Sequence, residues 1–198
     1  MGEMRERRTP VPDPTVVRLP PGAVLVVAGV PGAGKTTLLS RVDAGGARVL
    51  DPESIRARYA RRLAHLPYRL WRPLVHAEHY LRLLLALPGR AGLVVHETGT
   101  RAWRRRLLAG AARRSGRTAH LLLLDVTAQA ALGGQRRRRR TVRRGAFGGH
   151  WRRWQALRAA LAVPAAGQAG LVAEGWASVR LVDRARAGRL ARIEIPHG

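Results

Sequence analysis

The 198-residue sequence predicts a doubly wound α/β domain, a parallel sheet with helices on both faces, on three observations. Residues 23–28 (AVLVVA), 93–96 (LVVH) and 119–124 (AHLLLL) are almost wholly aliphatic, as strands buried on both faces of a parallel sheet are. Segments of helical periodicity separate these runs, and alternation of the two kinds belongs to the α/β class. Between the first run and the helix that follows stands Gly29-Val30-Pro31-Gly32-Ala33-Gly34-Lys35-Thr36-Thr37, which satisfies G-x-x-x-x-G-K-[ST], a phosphate-binding loop in its required strand–loop–helix setting.

Taken in order, residues 1–15 are polar and proline-rich and are expected to form a flexible tail, leaving 16–198 as one domain. Residues 16–19 suit a short edge strand, and Pro20-Pro21-Gly22 is a turn. After the first buried strand and the loop, a helix is expected from Lys35 to about Val42. A second strand at 47–50 precedes a helix with Pro52 in its first turn. Residues 70–87 predict a long helix, apolar on most sides and therefore expected to be well buried. A third strand at 93–96 leads to an amphipathic helix from Ala102, with Trp103, Leu107, Leu108 and Ala111 as its apolar face. The fourth strand, 119–124, is followed by Thr127 as the cap of a helix that runs into Arg136–Arg140. Residues 145–149 are expected to be a glycine-interrupted loop, with a helix beyond it whose one face is Trp151, Trp154, Leu157 and Leu161. Residues 179–182 form the fifth strand, and 190–195 a last strand in a hairpin with it.

Composition narrows the function. The chain has no cysteine, which excludes disulfides, thiolate metal sites and a catalytic thiol. No secretory signal or membrane-spanning run is visible, so a cytoplasmic protein without membrane partners is expected. The formal net charge is +25, which suits anionic ligands generally. Coding bias toward arginine accounts for much of it, and few aromatics stand among the arginines to stack bases. A nucleic-acid partner is therefore the less favoured reading. His65, His76 and His79 are expected to be structural rather than zinc ligands.

Lys35 is the single lysine among 37 basic residues. A phosphate loop needs a compact, flexible ammonium, which a planar guanidinium cannot replace. The loop from Gly29 to Thr37 is accordingly the ATP-binding segment. Lys35 is directed to the β- and γ-phosphates, the Thr36 hydroxyl to Mg²⁺, and Thr37 to the α-phosphate. Acidic residues number only 12, and Asp51, Glu97 and Asp125 stand at the ends of predicted strands, where an open α/β sheet binds its ligand. Glu97 is the candidate for a metal or substrate role there. Glu53 and Asp51 are alternative proton acceptors for a substrate hydroxyl, and Arg56, one helical turn from Glu53, is a candidate anion contact. The arginine-rich stretch at 136–150 is expected to be a lid, with Arg136 against the nucleotide base and Arg138 and Arg140 as catalytic groups on the phosphates.

GVPGAGKTT, the E-x-x-R of Glu53 and Arg56, the string VVHETGTR and the late arginine-rich stretch together resemble the small P-loop kinases and ATP-binding proteins related to polynucleotide kinase, zeta toxin and chloramphenicol phosphotransferase. Such chains are often catalogued as AAA-family ATPases. The resemblance implies a five-stranded parallel sheet of order 2-3-1-4-5, ATP and Mg²⁺ as ligands, and an Asp of a D-x-x-R motif as base, at the position held here by Glu53. It also brings Arg101, at the end of VVHETGTR, forward as a substrate contact. The implied function is ATP-dependent transfer of a phosphoryl group to a hydroxyl. The alternatives are a polynucleotide 5′-kinase and an ATP-binding switch with little transfer activity. Residues 56–90 are expected to line the acceptor side.

Overall fold

A computed structural model describes residues 15–137 and 144–198. The tail expected at 1–15 lies almost wholly outside the described residues, as do Arg138, Arg140 and the centre of the expected lid. The described elements are β1 (Thr15–Arg18), β2 (Val24–Ala28), α1 (Lys35–Arg41), β3 (Arg48–Leu50), α2 (Pro52–Leu63), α3 (Tyr68–Ala86), β4 (Leu93–His96), α4 (Ala102–Arg114), β5 (Ala119–Asp125), α5 (Ala128–Arg137), α6 (Arg144–Leu161), α7 (Pro164–Ala173), β6 (Ser178–Asp183), α8 (Arg184–Arg189) and β7 (Leu190–Glu194).

Five strands form an all-parallel sheet in the order β3-β4-β2-β5-β6. Counted from the strand before the glycine loop, this is 2-3-1-4-5; β1 shifts the labels because it precedes that strand. Strand parity divides the core between the two faces of the sheet. Val24, Val26 and Ala28 of β2 join Val95, Leu121, Leu123, Leu83, Leu108, Trp154 and Trp176 on one side. Leu25 and Val27 join Val94, Leu122, Leu124, Leu38, Leu39 and Ile193 on the other. Every residue of β2 is buried, as its unbroken aliphatic run requires.

Several expectations are corrected. The last strand, β7, forms no hairpin with β6. It pairs in parallel with β1, in a separate two-stranded sheet. The reason is local: the Asp183 carboxylate caps α8 by accepting from the Arg186 amide at 2.7 Å, so a helical turn replaces the tight reversal that a hairpin needs. Residues 145–149 are not a loop but part of α6. Phe147, Trp154 and Leu157 are buried and Trp151 packs against them, and that burial outweighs the helix-breaking tendency of Gly145, Gly148 and Gly149.

Helix α4 is rotated from its expected setting. Arg105, Leu108, Ala109 and Ala112 face inward, while Trp103 and Leu107 face water. Arg105 can be buried because it grips Glu174 with two bonds, Nε at 2.8 Å and Nη2 at 2.6 Å, and donates to the Gly99 carbonyl at 2.8 Å. Helix α3 buries only one stripe, namely Trp71, Val75, His79, Leu83 and Ala86, and leaves several leucines exposed. Thr127 does cap the following helix, accepting from the Ala130 amide at 3.1 Å. No helix among the described residues is long and apolar enough to cross a membrane.

Candidate active site

The glycine loop leaves the buried end of β2 and turns into α1. Gly32 and Gly34 have φ of 89° and 97°, in the left-handed region where a side chain would be strained. Gly34 is the N-cap of α1 and supplies no side-chain cap, so the first amides of the helix face the loop mouth. A Cβ built on Gly34 would meet nothing within 4 Å. Lys35 is buried, at 5% exposure, and its Nζ donates to the carbonyls of Gly29 at 2.7 Å and Val30 at 3.1 Å. An ammonium held at the mouth of an open, amide-lined loop fits the phosphates of a nucleotide.

Helix α5 presses directly on this loop. The Gln135 amide donates to the Pro31 carbonyl at 3.0 Å. A Cβ on Gly134 would stand 2.3 Å from the Gly32 carbonyl oxygen, so the contact is one of backbone against backbone. Beside the loop opens a cavity of about 420 Å³, walled by Ala33, Thr37, Arg41, Asp125, Arg137 and Gly188 among others. Its volume lies within the range of small-molecule sites. Arg137, not the expected Arg136, lines it; Arg136 is exposed on α5. Thr37 is at the cavity wall, and Thr36 is half-buried at the start of α1.

On the other flank, β3 and β4 end beside the loop. Asp51 caps α2, its Oδ1 accepting from the Glu53 amide at 2.9 Å. The same oxygen lies 2.8 Å from His96 Nδ1. Since the carboxylate is the acceptor, Nδ1 carries the hydrogen. Burial raises the Asp51 pKa, but the His96 hydrogen bond, the field of His96 and the Glu53 amide outweigh it, leaving the group below the usual carboxylate range. Burial pushes the His96 pKa down, the nearby Lys35 ammonium pushes the same way, and the net result is a lowered value. Because β4 lies between β3 and β2, strand spacing puts Asp51 about 10 Å across the sheet from the loop strand. Glu53 meets Arg56 at 3.4 Å, and the Arg56 guanidinium also lies 4.7 Å from the centre of the Tyr68 ring. Arg56, Tyr68 and the small cluster of Ile55, Trp71 and Val75 belong to the α2–α3 pair, on the side expected to receive an acceptor.

Glu97, the candidate for a metal or substrate role, is held by donors from three segments of the protein. Oε2 accepts from the Tyr80 hydroxyl at 2.6 Å. Oε1 accepts from the Thr98 amide at 2.8 Å, the Thr98 hydroxyl at 2.9 Å and Arg104 Nη1 at 3.4 Å. Burial raises its pKa, but these donors prevail and hold it at about 2. Both oxygens are thus engaged by the protein. Arg101 is exposed at the N-cap of α4, and its charge, with those of Arg153, Lys35 and Arg104, adds to burial in lowering His150 to about 4. His150 Nδ1 lies 2.9 Å from the Thr100 hydroxyl.

Sequence reasoning placed Lys35, Asp51 and Glu97 at the correct end of the sheet. It missed His96 as the partner of Asp51, although a polar residue closing an aliphatic strand is a signal for such a role. It also missed Tyr80, Thr98 and His150, whose positions depend on how the helices pack.

No curated protein matches the chain by sequence. Among solved structures, the fold is similar to a protein of the PezAT chromosomal toxin–antitoxin system of the human pathogen Streptococcus pneumoniae, with a TM-score of 0.56 and 11% identity over 91% of this chain and 72% of that one. Weaker likenesses are to the tunicamycin resistance protein of Deinococcus radiodurans (TM-score 0.42, 22% identity, 69% and 80% of the two chains) and to a gluconokinase from Sinorhizobium meliloti 1021 (0.39, 17%, 67% and 74%). The likeness to the PezAT system protein shows a shared fold. The family model described as AAA domain matches residues 24–164, from the loop strand through α6. This chain, with its glycine loop and five-stranded parallel sheet, belongs to the AAA domain family.

Proposed function

We propose that the protein is an ATP-dependent phosphotransferase that moves the γ-phosphate to a hydroxyl of a small molecule. The observation that supports this best is the convergence of three strand ends: the Lys35 loop after β2, His96 at the end of β4, and Asp51 after β3. ATP with Mg²⁺ would supply the phosphoryl group and neutralise its charge. The loop amides and Lys35 would hold the β- and γ-phosphates, and Thr36 the metal ion. The cavity walled by Thr37, Arg41 and Arg137 would take the nucleoside.

The acceptor would enter from the α2–α3 side. Asp51, kept ionised by its donors, would accept the hydroxyl proton, and Arg56 and Arg101 would be contacts for the acceptor. Glu53, the alternative acceptor, is paired with Arg56. The donors that the protein itself supplies to Glu97 favour a second reading, an ATP-binding switch with little transfer, because they compete with a metal for the carboxylate.

Incubation with γ-labelled ATP and Mg²⁺ tests the proposal against a panel of sugars, nucleosides, antibiotics and 5′-hydroxyl oligonucleotides. Label entering a small molecule supports it. Label entering only the oligonucleotide makes the protein a polynucleotide kinase, and binding of ATP without transfer leaves the switch.

A further inference from the structure

Helix α3 has two apolar faces. One packs inward through Trp71, Val75, His79 and Leu83. On the opposite side Leu70, Leu74, Leu81, Leu84 and Leu85 are 60%, 49%, 55%, 57% and 71% exposed, and Ala77 between them is exposed as well. Positions 70, 74, 77, 81 and 84 advance by alternate steps of four and three, the repeat that makes a helix–helix seam. The charged residues of α3 lie off this stripe, and its one carboxylate, Glu78, is tied to Arg58 and Arg82. An apolar stripe of this size on a protein surface is often an interaction site.

We propose that the stripe is where a second copy of this chain docks, α3 against α3, antiparallel about a two-fold axis between residues 77 and 78. A symmetric interface requires a patch that is complementary to itself. Here Leu70 and Leu85 lie at equal distances in sequence from the midpoint between residues 77 and 78, and so do Leu74 and Leu81. Antiparallel pairing therefore sets Leu70 on Leu85 and Leu74 on Leu81, and the small Ala77 beside the axis lets the two backbones approach. The exposed parts of the five leucines amount to about 500 Å² per protomer, so the pair would bury about 1,000 Å², the lower end for a specific interface. Two chains of charge +25 repel each other, but helical spacing sets Arg69, Arg72 and Arg82 of α3 off the seam. Added salt screens that repulsion and leaves the apolar contact intact, so the dimer is expected to tighten as ionic strength rises.

The absence of cysteine makes a direct test simple in the full chain. Under mild oxidation Ala77→Cys is expected to cross-link to a dimer. Leu70→Cys alone should stay unlinked, yet cross-link when mixed with Leu85→Cys. Leu107→Cys, equally exposed on α4, should not cross-link. Light scattering on wild type over a roughly hundredfold concentration range should show the mass doubling. Leu74→Glu/Leu81→Glu should keep the single-chain mass with an unchanged circular dichroism spectrum, since both side chains face water. A single-chain mass for wild type throughout would overturn the proposal and assign the stripe to a different occupant. So would a dimer that survives in the double variant, self-linkage of Leu70→Cys, or cross-linking of Leu107→Cys as readily as Ala77→Cys. None of these outcomes bears on phosphoryl transfer.

Discussion

Asp51 and Lys35 illustrate how single residues here carry more than one duty. Asp51 caps α2 and also binds His96, so its carboxylate is fixed by two donors before any substrate arrives. If it accepts the substrate proton, Asp51→Asn should keep ATP binding and lower the transfer rate by about 10²–10⁴-fold. Glu53→Gln should cost far less; equal losses from the two would remove Asp51 from the role. His79 is a different case. It is 2% exposed, neither ring nitrogen has a partner among the described residues, and burial lowers its pKa to about 4. Between about 4 and the ordinary value of 6.5 the unfolded chain binds a proton that the folded chain refuses, so stability falls as pH drops through that window. His79→Leu is expected to raise stability at pH 7 by about 1 kcal/mol and to flatten this dependence, as read from urea midpoints at several pH values. A midpoint that falls at pH 7 would contradict it. Neither behaviour was legible beforehand. The helical spacing placed His79 on α3, but only the packed structure shows which side of that helix is covered.

At the level of elements, contact between α5 and the glycine loop is the closest constraint on the site. Gly134→Ala would drive a Cβ into the Gly32 carbonyl, so α5 would have to retreat. The expected cost is about 1–3 kcal/mol in stability together with weaker ATP binding, measured by thermal unfolding and titration. An unshifted melting curve would show the contact to be loose. The glycines of α6 act oppositely. A Cβ on Gly148 meets nothing within 4 Å, so Gly148→Ala should stabilise by about 0.5–1 kcal/mol and raise the melting temperature by about 1–4 °C. These two helices also mark where sequence reading stopped. The strand β2, its loop and the Thr127 cap were legible because local chemistry decides them: aliphatic runs, an amide nest, a hydroxyl at a helix start. The start of α6 was not, because burial of Phe147 and Trp154 outweighs the local preference of its glycines. Nor was the setting of α4, since the Arg105–Glu174 pair that turns it inward joins residues far apart in the chain.

For the whole molecule, the order of the sheet places the loop, His96 and Asp51 at adjoining strand ends; the α/β class was expected from the alternation of elements, and the order from the family resemblance. Charge is distributed with economy. Every carboxylate among the described residues has an arginine or histidine partner, from Asp43 with Arg192 to Glu194 with Arg18, which leaves a large surplus of guanidinium groups for anions. Lysine alone is kept from that surplus and buried in the loop. The central claim, that this loop holds a nucleoside triphosphate, is tested most directly by equilibrium dialysis of labelled ATP with Mg²⁺ against wild type and Lys35→Met. Saturable binding by wild type at one site per chain, with at least a tenfold loss in the variant, is the expected result. No binding by wild type, or equal binding by both proteins, would contradict the account.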